Sequence, residues 1–541
     1  MLEAAAAFDA VVAEFYEGWF RYHPERALEL GFPVSGRVLP PQEDDVLAAL
    51  SGWIEALILG LDEVAFTALD TDRQLDYELL AGAARIEHLE SLTRDWRWLD
   101  PLHFLPVAEI DRLTLDPTRA LDGALPQLLE QIPEHLRQAQ AQLRETAAAL
   151  SAPLVRVAAA EAASGCCYLR HLARAIWLRG HTRAFHELGT LAESAANALA
   201  NFSHALTTEL AVRAQGEPGC GSAHLQLRLR YLHCIDCDPA TLGDPIAGML
   251  RTTEAELEHL ADDLSGDQSQ DAGSGSGVPA AASPRLQQYR ERVEELAAEL
   301  TASGLVTLPD APLRIDLRPA CAGPRRAHTD YLPTADGTGT LYLSAGGSET
   351  ESDACIRDRC LANGWGGSHL LAYADAARAR RLPRRLANAA SLTGGWHLYL
   401  TDRLGRSGVH AGDRRRWALI ARRDSLLRAE LDLGLHTGRI GSDQALARLR
   451  SHGLTEPSAE AAFARIALAP GDALAAVLGW QLLEAARAQQ KALDSAGFAE
   501  RAFHDRLVSQ GPIPLALALR YGLGQSLWQS AAETVFGAQS P

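Results

Sequence analysis

The chain has 541 residues, 47% of them hydrophobic and 22% charged, the composition of a globular protein with enough apolar residues for a large core. Its formal net charge of -18 opposes binding to phosphates, so nucleic acid is not an expected partner. Eight cysteines in this length are too few for a disulfide scaffold.

The first residues, MLEAAAAFDAVVAEFYEGWF, carry Glu3 and no basic start before an apolar run, so they do not read as a secretory signal. Apolar residues at Val11, Val12, Phe15, Trp19 and Phe20 recur at helical spacing and predict a helix, interrupted at Pro24 and ending at Gly31. The same periodicity predicts helices over 74–92, 127–150, 193–214 and 253–264. Cys166 and Cys167 are adjacent, and HCIDCD, residues 233–238, holds a CxxC at Cys234 and Cys237. A zinc ribbon needs a second such pair, and a redox CxxC usually opens a helix after a strand. Reduced thiols in a helical turn are the expectation, with a metal or redox role as the weaker reading. No run of 18 or more uncharged apolar residues occurs, so no membrane span is expected. With no span and no signal, the chain reads as cytoplasmic.

Residues 265–284, SGDQSQDAGSGSGVPAAASP, are rich in Gly, Ser, Ala and Pro; such a stretch buries no core and is expected to be flexible. It separates an N-terminal helical region, 1–264, from a C-terminal one, 285–541. It is either a linker between domains or an insertion between two long helices of one domain, and the low closure cost of long loops favours the insertion. Strand-like alternation is confined to LRIDL, 313–317, and GTLYLSAG, 339–346, with GTGT at 337–340 read as a hairpin turn. The basic run ARARRLPRR, 377–385, reads as a solvated helix end.

Several segments stand in a telling order. They are RYHPERALELGFP (21–33), YLPTADGTGTLYLS (331–344), LRAELDLGLHTGRIGSDQA (427–445), APGDALAAVLG (469–479) and FHDRLVSQGPIPL (503–515). Together they resemble the bacterial family named "domain of unknown function 885", whose members look like helical zinc metallopeptidases. The resemblance implies an all-α, multi-helix, zincin-peptidase-like bundle with a deep cleft and a small β-hairpin at its rim. It also implies two catalytic motifs, His-Glu-x-x-Pro-Gly-His-His-Leu and Glu-Gly-Trp-x-x-Tyr. With Gly367, His369 and Leu370 aligned on the first, Ala362 and Ser368 stand at the two zinc-binding histidines. Asn363 stands at the glutamate that deprotonates the bound water. In GGWHLY, Gly394 stands at the presumed third ligand, while Trp396 and Tyr399 are kept. Ala476 stands where the family often has a tyrosine. Alanine and glycine offer no lone pair, serine is a poor zinc ligand, and asparagine accepts no proton from water.

The expectation is therefore a catalytically degenerate homologue with no cofactor, binding a peptide or partner protein or serving a structural or regulatory role. Tyr331, Trp396, Tyr399, Arg428, Asp432 and His436 are its candidate cleft residues. The alternative is an active metal-dependent hydrolase with a rebuilt site for zinc or another divalent metal at His369, His397 and His436. His397 lies one turn beyond Gly394, His369 follows Ser368, and Asp432 precedes His436 by one turn. No obvious base replaces Asn363. A G-x-S-x-G elbow, a P-loop and a dinucleotide fingerprint are absent from the sequence.

Overall fold

Helical periodicity is realised along nearly the whole chain in the computed structural model, which describes residues 2–34, 36–115, 123–179, 182–265, 282–318, 331–333, 337–344, 352–406, 411–494 and 497–537. The first half forms α1 (Leu2–Trp19), α2 (Pro24–Leu30), α3 (Asp44–Asp62), α4 (Thr71–Thr93), α5 (Trp96–Leu99), α6 (Val107–Leu115) and α7 (Ala124–Glu145). It continues with α8 (Ala152–Arg179), α9 (Arg183–Ala205), α10 (Ser222–Leu232) and α11 (Gly243–Ser265). Local chemistry sets the ends. Pro24 opens α2, where a missing N–H costs nothing. Gly31, at φ 86°, closes it, with Gly31 and Phe32 N–H donating to Leu28 and Ala27 carbonyls. Asp70 caps α4 by accepting from the Arg73 amide.

The second half forms α12 (Ala282–Ser303), α13 (Asp353–Asn363), α14 (Ser368–Tyr373), α15 (Ala376–Ala379), α16 (Leu382–Arg385), α17 (Ala390–Gly405) and α18 (Ala411–His436). Beyond them lie α19 (Ser442–Ser451), α20 (Glu456–Leu468), α21 (Asp472–Leu493), α22 (Glu500–Val508), α23 (Leu515–Gly522) and α24 (Gln525–Phe536). One cluster of buried apolar side chains runs from Leu28 to Ala532 and draws on helices of both halves. A smaller one, around Phe8, Ile54 and Leu61, ties α1, α3 and α4 together. Most of the 265–284 stretch, 266–281, lies outside the described residues.

The two expected strands are present as β1 (Leu313–Arg318) and β3 (Gly339–Ser344), but they pair in parallel, Leu313 opposite Gly339. The antiparallel partner of β3 is the short β2 (Tyr331–Pro333), giving the order β1-β3-β2. The hairpin is thus β2–β3, with β1 added alongside.

The basic run at 377–385 is not a solvated helix end. Asp72 and Asp76 lie one turn apart on α4 and face it. Arg384, 0% exposed, binds Asp76 Oδ1 at 2.9 Å and Asp72 Oδ1 at 2.7 Å, and Arg381 also pairs with Asp76. This buried ion cluster joins the first half of the chain to the second. The CxxC lies in a turn where Cys234 takes φ 55°. Burial pushes both its thiols up to about 12, which leaves them protonated and poor nucleophiles.

Candidate functional site

The positions at which the resemblance expects a zinc centre fall at the end of α13, the start of α14 and the middle of α17. The glycines among and beside them are tightly packed. A Cβ on Gly394 would lie 2.4 Å from the Cβ of Ala476 on α21. One on Gly395 would lie 2.7 Å from the Gly479 backbone, and one on Gly479 would lie 2.0 Å from the Ser391 carbonyl oxygen. Helices α17 and α21 therefore cross at near backbone contact, and a glutamate at 394 has no room without moving α21. Between α13 and α14, a Cβ on Gly366 would lie 2.3 Å from Leu361 Cδ1. Asn363 turns its amide back onto its own helix and donates to the Arg359 carbonyl at 3.0 Å.

The histidines around this region serve the backbone. His369 is buried, with Nε2 3.0 Å from the Ala311 carbonyl oxygen. That contact places the proton on Nε2, so Nδ1 accepts from the Tyr331 hydroxyl at 2.9 Å. Trp365, Tyr331 and Tyr373 surround the ring, and burial holds it below the ordinary histidine value. His436 accepts from the Cys220 N–H at Nδ1, 3.3 Å, and donates from Nε2 to the Ile466 carbonyl, 3.0 Å; burial pushes it down to about 4. His397 belongs to a third set, with Nε2 3.0 Å from Asp358 Oδ1. Each histidine thus has its own partners. Among the described residues, no group of three or more His, Cys, Asp or Glu side chains is placed to hold a metal ion. The alternative of a metal site at His369, His397 and His436 finds no converging geometry, because two of the three rings have both nitrogens engaged.

Five of the six candidate cleft residues are also otherwise employed. Trp396 and Tyr399 are buried core, stacked at 5.7 Å. The Tyr399 hydroxyl donates to His504 Nε2 at 2.8 Å, while His504 Nδ1 donates to the Leu305 carbonyl at 2.7 Å. Asp432 is buried and caps α21, accepting from the Gly471 and Leu474 amides at 2.9 and 3.0 Å. Tyr331 holds His369, as above. Arg428 is exposed on α18. None of the six lines the large cavity described next.

That cavity, about 1220 Å³, lies against α1 to α6, with Arg318 of β1, Leu332 of β2 and the end of α20 at its rim. A space of this size suits a ligand larger than a single metabolite. Ten carboxylic acids and five arginines line it. Two histidines pack against tryptophans in its wall with tilted rings: His23 on Trp19, with ring centres 4.2 Å apart, and His103 on Trp96, at 4.0 Å. Glu87 accepts from Trp19 Nε1 at 3.0 Å and from His23 Nε2 at 2.7 Å. Glu25 lies 3.3 Å from His23 Nδ1. Burial works against a charged ring, but Glu87 and Glu25 outweigh it and push His23 up to about 10. His23 is therefore an imidazolium at neutral pH. Asp111 pairs with Arg318 at 3.2 Å and ties α6 to β1. The arrangement offers an acidic wall suited to a cation. Sequence reasoning missed it because Glu87 and His23 lie far apart in the chain. The available signal was Trp19 and His23, one helical turn apart, just ahead of Pro24.

The family described as "Bacterial protein of unknown function (DUF885)" matches residues 24–520. Comparison with curated proteins gives no match. Among solved structures, the chain is similar to "a putative lipoprotein of unknown function from Shewanella oneidensis", with TM-score 0.71 and 14% identity over 94% of this chain and 98% of that one. It is also similar to "the putative lipoprotein from Colwellia psychrerythraea", with TM-score 0.75 and 16% identity over 96% of this chain and 98% of that one. At such identities the likeness is one of fold. These lipoprotein descriptions overturn the cytoplasmic expectation, which rested only on the lack of a recognised signal and of a long apolar run.

Proposed function

The chain belongs to the DUF885 family, and from that premise we propose that it is a degenerate homologue of a helical zinc metallopeptidase that binds a peptide and does not cut it. The observation that carries this reading is the crossing of α17 and α21. A Cβ at Gly394 would meet Ala476 at 2.4 Å, so the third ligand position is closed sterically as well as chemically. The retained space lies elsewhere, in the cavity beside α1 to α6. Its excess of carboxylates favours a peptide bearing lysine or arginine, with the partly buried Trp96 as an apolar surface for the stems of those side chains. The lipoprotein descriptions of two relatives support a protein that works beside a membrane.

Elemental analysis of the purified chain and assay against a peptide mixture test the first half of the proposal. The expected result is zinc far below one per chain and no chelator-sensitive cleavage. One zinc per chain together with cleavage abolished by a chelator overturns it. Calorimetric titration with lysine- and arginine-rich peptides tests the second half. Binding that weakens in Glu87→Gln supports it, and equal affinity for acidic peptides counts against it.

A further inference from the structure

The long pair α8 and α9 packs along its length and carries three exposed large apolar side chains near its end. Leu178 is 84% exposed, Phe185 40% and Trp177 38%. The Trp177 ring lies against α9 at Gly189, where a Cβ would come within 2.1 Å of its Nε1. The glycine is a seat that keeps the indole at the end of the helix pair. Residues 168–192 carry Arg170, Arg174, Arg179 and Arg183 with one acidic residue, Glu187, in a chain whose net charge is -18. Arg170 and Arg174 lie one turn apart and exposed on α8. Among the described residues, the acidic groups that reach Arg170 and Arg183 are Glu193, 4.0 Å from Arg170, and Glu187, 2.6 Å from Arg183. Exposed pairs of this kind are weak and yield readily to phosphates.

We propose that the end of the α8–α9 pair docks onto an anionic lipid surface, with Trp177, Leu178 and Phe185 entering the headgroup boundary and Arg174 and Arg183 meeting lipid phosphates. The charge pattern argues for lipid. An acidic chain is repelled by an anionic membrane, and a local reversal of sign at one end sets which end approaches. Exposed indole, phenyl and leucyl groups beside arginines match the composition of interfacial segments. Three apolar side chains at the end of a helix pair are a small area for a stable protein interface. The inference stands apart from the peptide-binding reading, since the tip shares no residue with the cavity.

The test is sedimentation of the full chain with phosphatidylcholine vesicles, with and without phosphatidylglycerol, at low and high salt. Binding is expected only to the anionic vesicles and should weaken with salt. Arg174→Gln and Arg183→Gln should each lower the partition about fivefold, and Leu178→Asp should lower it at least as much. Brominated lipid should quench tryptophan fluorescence, and the quenching should be lost in Trp177→Phe. Thermal melting unchanged from the parent separates these effects from misfolding. Failure to bind anionic vesicles, or binding indifferent to all of these substitutions, overturns the proposal. So does a tip variant that loses a protein partner while its vesicle partition is unchanged.

Discussion

Around His23 the side chains are long and charged and stand apart around open space. Around Gly394 they are small and the helices touch. The two regions show what becomes of polar space in a helical protein. Carboxylates and guanidinium groups are too costly to bury unpaired, so the wall beside α1 to α6 stays wide and its charges pair along the surface, as in Trp19–His23–Glu87. At the α17–α21 crossing the facing positions are Gly394, Gly395, Ala476 and Gly479. Nothing there holds the helices apart, and close packing gains the dispersion contacts that a void would forfeit.

The largest expected effect comes from the joint between the two regions. Arg384→Ala leaves Asp76 buried without its fully buried partner, with only Arg381 still paired, and should cost about 3–5 kcal/mol in urea unfolding. Replacing both with well-packed apolar residues should recover much of that. A loss below about 1 kcal/mol, the scale of an exposed pair, would show that the two regions are held by their shared apolar core alone.

The second effect tests the closed crossing. Gly394→Glu restores the carboxylate that the resemblance expects, and Gly479→Ala adds a methyl against the Ser391 carbonyl. Each should destabilise by about 1–3 kcal/mol through overpacking, with no gain of zinc. A Gly394→Glu protein that melts like the parent and binds zinc would reopen the region as a metal site.

The third effect is a pH dependence of opposite sign in the two regions. Burial holds the folded rings of His436 and His504 down to about 4, against about 6.5 in an unfolded chain. Between these values the unfolded state takes up more protons, so stability falls as pH drops through that window. His23 is raised to about 10. Its contribution is complete below about 6.5 and is lost as pH rises through its folded value. Melting temperature followed against pH should show an acid-side decline that softens in His504→Gln. The alkaline-side decline should soften in His23→Gln. Exchanged outcomes would contradict a charged His23 and a neutral His504 in the folded state.

The smallest effect is local. Glu87→Gln removes the carboxylate between Trp19 and His23. It should cost about 1 kcal/mol and bring the ring titration of His23, followed by NMR, down toward its ordinary value.

Much of the fold was legible in the pattern of residues. The helices through 74–92 and 253–264 lie within α4 and α11, because an apolar stripe at helical spacing needs only a neighbour to pack on. The strands at 313–317 and 339–346 were legible as well, but their parallel pairing was not, since alternation carries no information about strand direction. The basic run at 377–385 misled because charge in a sequence suggests solvent, whereas Asp72 and Asp76 were waiting some three hundred residues earlier. The family resemblance made Asp432 and His436 cleft residues; their actual partners are backbone amides and carbonyls of other segments.

By itself, then, the sequence determined the helical class, the small β element and the lack of donors at Ala362, Ser368 and Gly394, because these depend on residue type and local period. Tertiary structure decided how tightly the helices pack at those positions, where the open cavity lies, and which charges are buried. Those outcomes depend on which distant helices meet, and on whether the side chains between them can be packed or must stay in reach of water.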